Sequence, residues 1–473
     1  LSNVIFMTPG QASKNDTPPT MLLSEDDAAT QQAGGTFADL FNPDGVLAQN
    51  PWLAAVVWIT AVILLGWLAF PITFTAFHGL PDKGYALSRI LSLLLVSYFG
   101  WLMASLKWMP NSRATLLLGV LLIGLASGLL FVRRRVEMMA FLKKNGRYFL
   151  LIELLGIGLF LIYFFVRLGN PDVWDIIWGG EKPMDLSYFT AVMKSTTFPP
   201  YDPWYAGGTL NYYYYGFVYV GAMAKLLAIP PAIAYNVGMA MLFSFVGLGA
   251  FSAAFNLAIA SASHFKGDRH LKVAVFAGLI ALSLAILLGN LAEPSVLVGA
   301  WYKTGDPALE TKLPVAGTLA RTVDGIIKTA SGQPAPVYPG DYFWNATRAI
   351  NYEPGEVQPI TEFPFFTFLY GDLHAHMISM PLQLLALGWA IGLALRARAR
   401  STKGWGLGIG DWVGLAFSFV IGGVVIGSLR AINTWDFPTY LIIGALAVLF
   451  WAWRLENGRF TQRAILRFAA GTA

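Results

Sequence analysis

The sequence predicts an all-α integral membrane protein, a polytopic helical bundle of about nine spans with interfacial or re-entrant helices. Composition is the first reason: of 473 residues, 56% are hydrophobic and only 12% are charged, whereas a soluble domain has roughly 25% charged residues. The second reason is a series of stretches that stay apolar over about 20 residues, the length that a helix needs to cross a hydrocarbon core about 30 Å thick.

The nine predicted spans are placed in order along the chain, near residues 52–77, 85–106, 114–132, 148–168, 232–260, 271–291, 377–395, 412–429 and 438–453. Lys and Arg concentrate in short cytoplasmic loops, so the richest basic loop, residues 133–147, is predicted to be cytoplasmic. Counting spans from it puts the later basic clusters on the same side. We therefore expect a multi-pass protein of the cell membrane with residues 169–210, 292–376 and 433–436 outside the cytoplasm.

A further apolar stretch, residues 211–228, is predicted to be interfacial or re-entrant, because a tenth full span would turn the later basic loops outward. It begins with Tyr212, Tyr213 and Tyr214 after an asparagine. Tyr is enriched where a membrane meets water, since its ring is apolar and its hydroxyl is polar. The three rings are therefore either a belt without chemistry or contacts to a substrate.

Composition also limits the possible chemistry. Cysteine is absent, which removes disulfides, thiolate metal sites and cysteine nucleophiles. The net charge of +5 is too small an excess to indicate nucleic-acid binding. No secretory signal follows Leu1, as expected of a chain that begins inside a longer polypeptide, and residues 1–50 are polar enough to form a loosely ordered segment outside the cytoplasm.

The first outer segment, residues 169–210, collects carboxylates, among them Glu181, Asp185 and Asp202. Carboxylates at the mouth of a membrane protein can take a proton from a substrate hydroxyl or hold a divalent cation together with a phosphate. The alternative is that they only keep a loop solvated. Glu181 and Asp185 are four residues apart, so a helix there would place both on one face. The many aromatic residues of this segment predict order.

The second outer segment, residues 292–376, holds the densest polar cluster: Asp372, His374 and His376. In an extended chain all three point to one side, and in a helix Asp372 and His376 share a face. Either arrangement could ligate a metal or donate hydrogen bonds to a phosphate. Histidines bonded to backbone are the alternative without chemistry.

Two more residues of this segment are candidates for substrate contact. Arg348 lies among aromatic motifs, and its planar guanidinium suits a phosphate or a carboxylate. A surface salt bridge is equally compatible with its position. Glu362 begins the motif Glu362-Phe363-Pro364, which precedes the histidines.

Together these motifs resemble the YYY membrane-protein family, an uncharacterised domain named for its tyrosine triplet. The resemblance covers about Pro51 to the C-terminus. It rests on Gly180-Glu181-Lys182-Pro183-Met184-Asp185, Phe198-Pro199-Pro200-x-Asp202-Pro203-Trp204, Asn211-Tyr212-Tyr213-Tyr214, Glu362-Phe363-Pro364, Gly371-Asp372-Leu373-His374-x-His376 and Asn433-x-Trp435-Asp436.

That family is similar in turn to the GT-C glycosyltransferases, membrane enzymes that take a sugar from a polyprenyl-phosphate or polyprenyl-diphosphate carrier outside the cytoplasm. The similarity implies a GT-C-like core, residues 148–473, preceded by three additional spans in residues 51–147. It also implies that Asp185-x-x-Tyr188-x-x-Ala191 is the acidic motif of the first outer loop. Met184 stands where several of these enzymes carry a second acid, so Glu181 is kept as a residue that shares the role of Asp185.

The expected function is therefore inverting transfer of a sugar from a polyprenyl-phosphate-linked donor to an extracytoplasmic acceptor. The catalytic candidates are Asp185 and Glu181. The substrate-binding candidates are Arg348, Tyr212, Tyr213, Tyr214, Glu362 and His374. A divalent cation, Mg²⁺ or Mn²⁺, is the possible cofactor, with Asp202, Asp372 and His376 as its candidate ligands.

Two other classes remain open at this stage. A non-catalytic subunit of a larger membrane assembly would use the aromatic outer loops to contact membrane-protein partners. A transporter would carry charges within its spans, and the spans here are expected to be nearly free of charge, with Glu153 as the main exception. The expected partners are membrane lipid and the polyprenyl-linked sugar, with no nucleic acid.

Overall fold

A computed structural model describes most of the chain. The described residues are 25–32, 37–175, 180–205, 208–261, 269–288, 290, 292–311, 314–337, 344–350, 352–400 and 409–472. The expectation for residues 1–50 thus lies outside the described residues at 1–24 and 33–36. The rest of that segment contains three short helices, Glu25–Gln32, Phe37–Leu40 and Val46–Gln49.

Within these residues, nine helices are long and apolar enough to cross a membrane, which confirms the predicted polytopic helical bundle. They are α1 (Pro51–Ala76), α2 (Ser88–Ser105), α3 (Arg113–Lys144), α4 (Gly146–Gly169), α7 (Pro231–Ser261), α8 (Arg269–Ser283), α12 (Ala375–Arg400), α13 (Ile409–Ile432) and α14 (Phe437–Leu455). A π-helical turn, Leu284–Leu288, extends α8. The remaining helices are α5 (Lys182–Lys194), α6 (Tyr215–Leu227), α9 (Ala292–Thr304), α10 (Pro314–Ala330), α11 (Pro364–Tyr370) and α15 (Gln462–Thr472).

The spans start and stop where their sequence provides caps. Asn50 accepts a hydrogen bond from the Leu53 amide and Pro51 follows it, which is the usual beginning of a helix. Ser112 caps α3 in the same way. Inside α3 the backbone leaves helical geometry at Arg134, within the run of three arginines, so the helix bends there.

The helix α7 lies at the centre of the bundle, since 89% of its most apolar 18-residue stretch is buried. It packs against α4, α8 and α12, while α12 also contacts α13 and α14. The N-terminal spans α1, α2 and α3 pack on one another. Apolar side chains on the outward faces of the other spans remain exposed, as expected of surfaces that face lipid.

The apolar stretch 211–228 forms the short helix α6, which the structure confirms is no tenth span. Its 13 residues cover only about 20 Å. Residues 215–226 are all buried, so this helix packs among other helices, and its interfacial or re-entrant position in the membrane stays a prediction. It lies against α2, α5, α12 and α13.

The expectation that the spans carry almost no charge apart from Glu153 is wrong. Arg89 of α2 is buried and lies 3.0 Å from the Glu153 carboxylate of α4. Nearby, Asp82 accepts hydrogen bonds from Tyr148 (2.8 Å) and Ser252 (3.1 Å). A buried charge needs a partner, and these contacts join α2, α4 and α7 at the end of the bundle opposite the outer segments.

The second outer segment is more regular than expected, because it contains the helical hairpin α9 and α10. The two helices come close at Gly325, where a Cβ would lie 1.7 Å from the Trp301 carbonyl oxygen. One face of α10 stays exposed and apolar, with Val315, Leu319 and Ile327 at 74%, 61% and 59% exposure. This periodicity follows the helical repeat.

Candidate functional site

The two long outer segments meet at one end of the bundle. A carboxylate oxygen of Glu181, from the first segment, lies 2.6 Å from Nε2 of His374, from the second. This contact brings the two segments together at one site.

Two glycines set the local geometry. Gly180 has φ of +61° and directly precedes Glu181 and α5. Gly371 has φ of +70° and ends α11, and α12 begins only four residues later. Glycine adopts positive φ without strain, so each helix can end or begin abruptly. The intervening backbone is held to α7 because the Leu373 amide donates to the Tyr235 hydroxyl (2.7 Å).

Four side chains then form a continuous row, which we call the carboxylate–imidazole relay: Glu181, His374, His376 and Glu362. His374 Nε2 contacts Glu181, the two Nδ1 atoms lie 2.8 Å apart, and His376 Nε2 lies 2.7 Å from a Glu362 oxygen. Each Nε2 must carry a hydrogen to donate to its carboxylate, and one of the two Nδ1 atoms must carry another. One ring of the pair is therefore an imidazolium.

The electrostatics of the relay favour His374 as that cation. Burial lowers its pKa, but the hydrogen bond to Glu181 and the charges of Asp185, Glu181 and Asp372 together raise the pKa of His374 to about 9. The same bond lowers the pKa of Glu181, and the bond to His376 lowers that of Glu362. Both carboxylates are thus held ionised, and both remain partly exposed.

Asp185 has the opposite environment, although it lies only one turn from Glu181 on α5. Its side chain is fully buried, and neither carboxyl oxygen has a hydrogen-bond partner in the described part of the chain. Burial raises its pKa well above the usual value, Asp372 adds to the increase and His374 opposes it. The site therefore contains two acids of different character, Glu181 just before α5 and Asp185 in its first turn, and proteins separate acid and base roles in this way.

Two buried cations, Arg167 and Lys182, complete the site and were missed as site residues by the sequence reasoning. Arg167 donates to Asn236 (2.7 Å) and to the Asp172 carbonyl (3.2 Å). The Lys182 ammonium lies 5.3 Å from the centre of the Tyr370 ring. Their position in the sequence could have indicated them, because Arg167 lies just before the first outer segment and Lys182 lies within it, next to Glu181.

The predicted tyrosine triplet divides into different roles. Tyr212 contacts the relay, because its hydroxyl lies 3.0 Å from His374 Nε2. Tyr213 packs its ring against Tyr212, with centroids 5.1 Å apart. Tyr214 stacks on Phe198 and accepts a hydrogen bond from Trp101. Only the first of the three therefore reaches the polar cluster directly.

Arg348 lies at the edge of the site. Its guanidinium stacks 4.1 Å above the Trp344 ring and bonds to Thr347. The Trp344 ring is in turn 6.4 Å from that of Tyr370, the ring that Lys182 faces. The predicted contact of Arg348 with substrate stays a prediction, whereas Glu362 is held in the relay.

The three candidate metal ligands are not brought together. Asp202 accepts a hydrogen bond from the Trp204 amide (2.8 Å), while His376 is paired with Glu362. Across the described ranges, no three His, Asp or Glu side chains are placed to hold a metal ion, and Asp202, Asp372 and His376 form no such group.

The motif Asn433-x-Trp435-Asp436 contacts the first turns of α12, the helix that carries His376. One Asp436 oxygen lies within hydrogen-bond distance of Ser379 (2.6 Å), Gln383 (2.7 Å) and Asn433 (2.9 Å). The Ser379 hydroxyl also lies 2.9 Å from the His376 carbonyl oxygen. Asp436 thus fixes the beginning of α12, which carries His376.

Comparison with known proteins identifies a family but no activity. A family model described as uncharacterized membrane protein (DUF2298) matches residues 95–471, an extent that shows the family and confirms the expected membrane-protein class. No curated protein and no solved structure matches the chain. The finer likeness to GT-C glycosyltransferases has no support from a comparison.

Proposed function

We propose that this chain, which belongs to the DUF2298 family of uncharacterised membrane proteins, is an inverting membrane glycosyltransferase. It would move a sugar from a polyprenyl-phosphate-linked donor to an acceptor hydroxyl at the outer end of the bundle. Asp185 is the proposed base. His374, Tyr212 and Glu181 line the same site and position the reacting groups.

The single observation that carries this proposal is the unpartnered carboxyl group of Asp185. Burying a polar group without a hydrogen bond costs roughly 1–3 kcal/mol in proteins. That cost is removed if a substrate hydroxyl donates to the carboxyl group when it binds. A raised pKa also brings a carboxyl group closer to the range in which a general base is most effective.

The acceptor O–H gives its proton to ionised Asp185 as its oxygen forms a bond to the anomeric carbon. The bond between that carbon and the phosphate oxygen breaks, and its electron pair leaves with the phosphate. Glu181 is the weaker base of the two, since its bond to His374 lowers its pKa, so we assign it to holding His374 in place.

A lateral groove supports a donor with a lipid chain. It has a volume of about 480 Å³ and is lined by Tyr98 and Trp101 of α2, Tyr215 of α6 and a small-residue face of α13. The groove does not include Asp185 or His374. The groove wall is linked to the relay through the tyrosine triplet, because Trp101 donates to Tyr214 and Tyr212 contacts His374. A chain in the groove could therefore extend its phosphate towards the site.

Filling this groove should weaken use of the donor. A Cβ at Gly427 would have no described heavy atom within 4 Å, so the leucine of Gly427→Leu would start from open space on the groove wall. Displacing about two methylene groups of a bound chain should raise KM for a lipid-linked donor about tenfold, with little change in kcat. The matched control is Gly128→Leu, an equally open position on α3. Equal KM values for the two variants would argue against chain binding here.

We further propose that the site faces away from the cytoplasm, as the distribution of Lys and Arg indicates. The chain has no cysteine, so single cysteines can be introduced cleanly. Cysteines at Trp204 and Ser331 should react with an impermeant thiol reagent in intact cells, whereas one at Gln462 should be protected. Labelling of the cysteine at position 462 and of neither other site would show the opposite orientation and contradict the proposal.

The direct test of the function is sugar transfer by the purified protein from a polyprenyl-phosphate donor. The second candidate, a non-catalytic subunit of a membrane assembly, is favoured by one observation, the exposed apolar face of α10, which could contact another protein. Turnover would exclude that reading. Absence of turnover with every lipid-linked donor, together with copurification of a stoichiometric partner, would favour it.

A further inference from the structure

Arg167 and Lys182 are two buried positive charges that lie against the turn at Tyr370 and Gly371. They are only 4% and 6% exposed. Lys182 faces the Tyr370 ring, and Arg167 Nη1 would lie 2.7 Å from a Cβ placed on the next residue, Gly371. The two cations therefore approach the same turn from α4 and α5.

Neither cation has a carboxylate at ion-pair distance in the described part of the chain. Lys182 has no hydrogen-bond or ion-pair partner there, and Arg167 is bonded to an amide and a carbonyl oxygen. The paired cations elsewhere, such as Arg89 with Glu153, show the contrast. The pKa of Lys182 is lowered by burial and by the charge of Arg167, which together outweigh the longer-range attraction of three carboxylates, Asp372, Asp172 and Asp175. Burying a charge without a direct ion pair is unfavourable.

We infer that Arg167 and Lys182 form a binding site for a phosphoryl anion. The ammonium of Lys182 acts as a compact point charge, and a guanidinium donates in a plane that matches phosphate oxygens. Lys182 is also the first residue of the 13-residue helix α5, whose first turn has no side-chain cap. The partial positive charge of a helix N-terminus adds to the attraction for an anion.

The position relative to Asp185 gives this anion site its role. Lys182 and Asp185 are three residues apart on α5 and so lie on one side of it. Both residues belong to the first turn of α5, so a phosphate at Lys182 would lie within about one helical turn of the base that receives the acceptor proton. During transfer the phosphate gains one negative charge as it leaves, and the two cations would stabilise that charge. This role rests on the proposed function, but the anion site itself does not.

The test measures anion binding without any turnover. Purified protein in detergent is titrated by calorimetry with inorganic phosphate in one arm and farnesyl phosphate in the other. Wild type should bind at least one of them, and Lys182→Met should bind it about 10- to 100-fold more weakly, as expected for loss of a charged hydrogen bond. Binding of farnesyl phosphate alone would identify a lipid headgroup as the ligand, and equal binding of both would identify the phosphoryl group itself.

Stability separates a ligand site from a structural lysine. Because Lys182→Met removes an unpaired buried charge, its melting temperature without ligand should equal or exceed that of wild type. Lys303→Met, at an exposed position on α9, is the matched control and should bind like wild type. Lys182→Gln is the second variant should the methionine form aggregate. Wild-type protein that binds neither probe, or a Lys182 variant that binds like wild type, would overturn the inference, whereas sugar transfer lost only in Asp185 variants bears on the proposed function.

Discussion

Asp185→Asn should lower the turnover of sugar transfer by about 10²–10⁴-fold, the usual contribution of a general base. The amide has the size of the carboxyl group but cannot accept the proton. Because the Asp185 carboxyl has no partner in the described structure, the substitution breaks no internal hydrogen bond, and folding should be preserved. Binding of the donor should be retained, so the loss should appear in kcat more than in KM.

Two further variants make this result specific. Asp324→Asn changes a carboxylate on α10 that is paired with Lys328 at 2.7 Å, and it should leave turnover unchanged. Glu181→Gln should cause a smaller loss than Asp185→Asn, because it disturbs His374 rather than removing the base. Full activity in Asp185→Asn would exclude Asp185 as the base, and a larger loss in Glu181→Gln would transfer that role to Glu181.

The spans could be predicted from sequence because hydropathy over about 20 residues is a local property. Arg89 was hidden by the same averaging: one charge inside an apolar window does not prevent a helix from spanning when Glu153 is there to pair with it. The helix α10 was missed for a different reason. Its apolar residues recur at helical spacing from Val315 to Ile327, a signal that the sequence contained but that was not used in a segment treated as a loop.

The site was predictable in its residue types but less so in its geometry. The two segments and the residues Glu181, Asp185, His374 and Glu362 were identified from their chemistry. Sequence could not show that Glu181 would be exposed and paired while Asp185 was buried and unpaired, since this depends on packing between α5 and residues far along the chain. The contact between His374 and His376 likewise depends on the sharp turn at Gly371.

The effect of pH on stability should reveal the charge on His374. Its folded-state pKa of about 9 lies above the usual value near 6.5. The charged ring is therefore favoured by folding, and its contribution is fully present below about pH 6.5 and is lost as pH rises through about 9. The difference between the two pKa values corresponds to about 3 kcal/mol of folding free energy. Solvent screening reduces this contribution little, because the His374 side chain is only 24% exposed.

The measurement is the difference in thermal stability between wild type and His374→Gln from pH 6 to pH 9.5. The difference removes the titration of other groups that both proteins share. It should be largest at pH 6 and fall steadily towards pH 9.5, because glutamine keeps a donor for Glu181 but carries no charge. A difference for His374→Gln that does not change with pH would show that His374 is neutral in the folded protein.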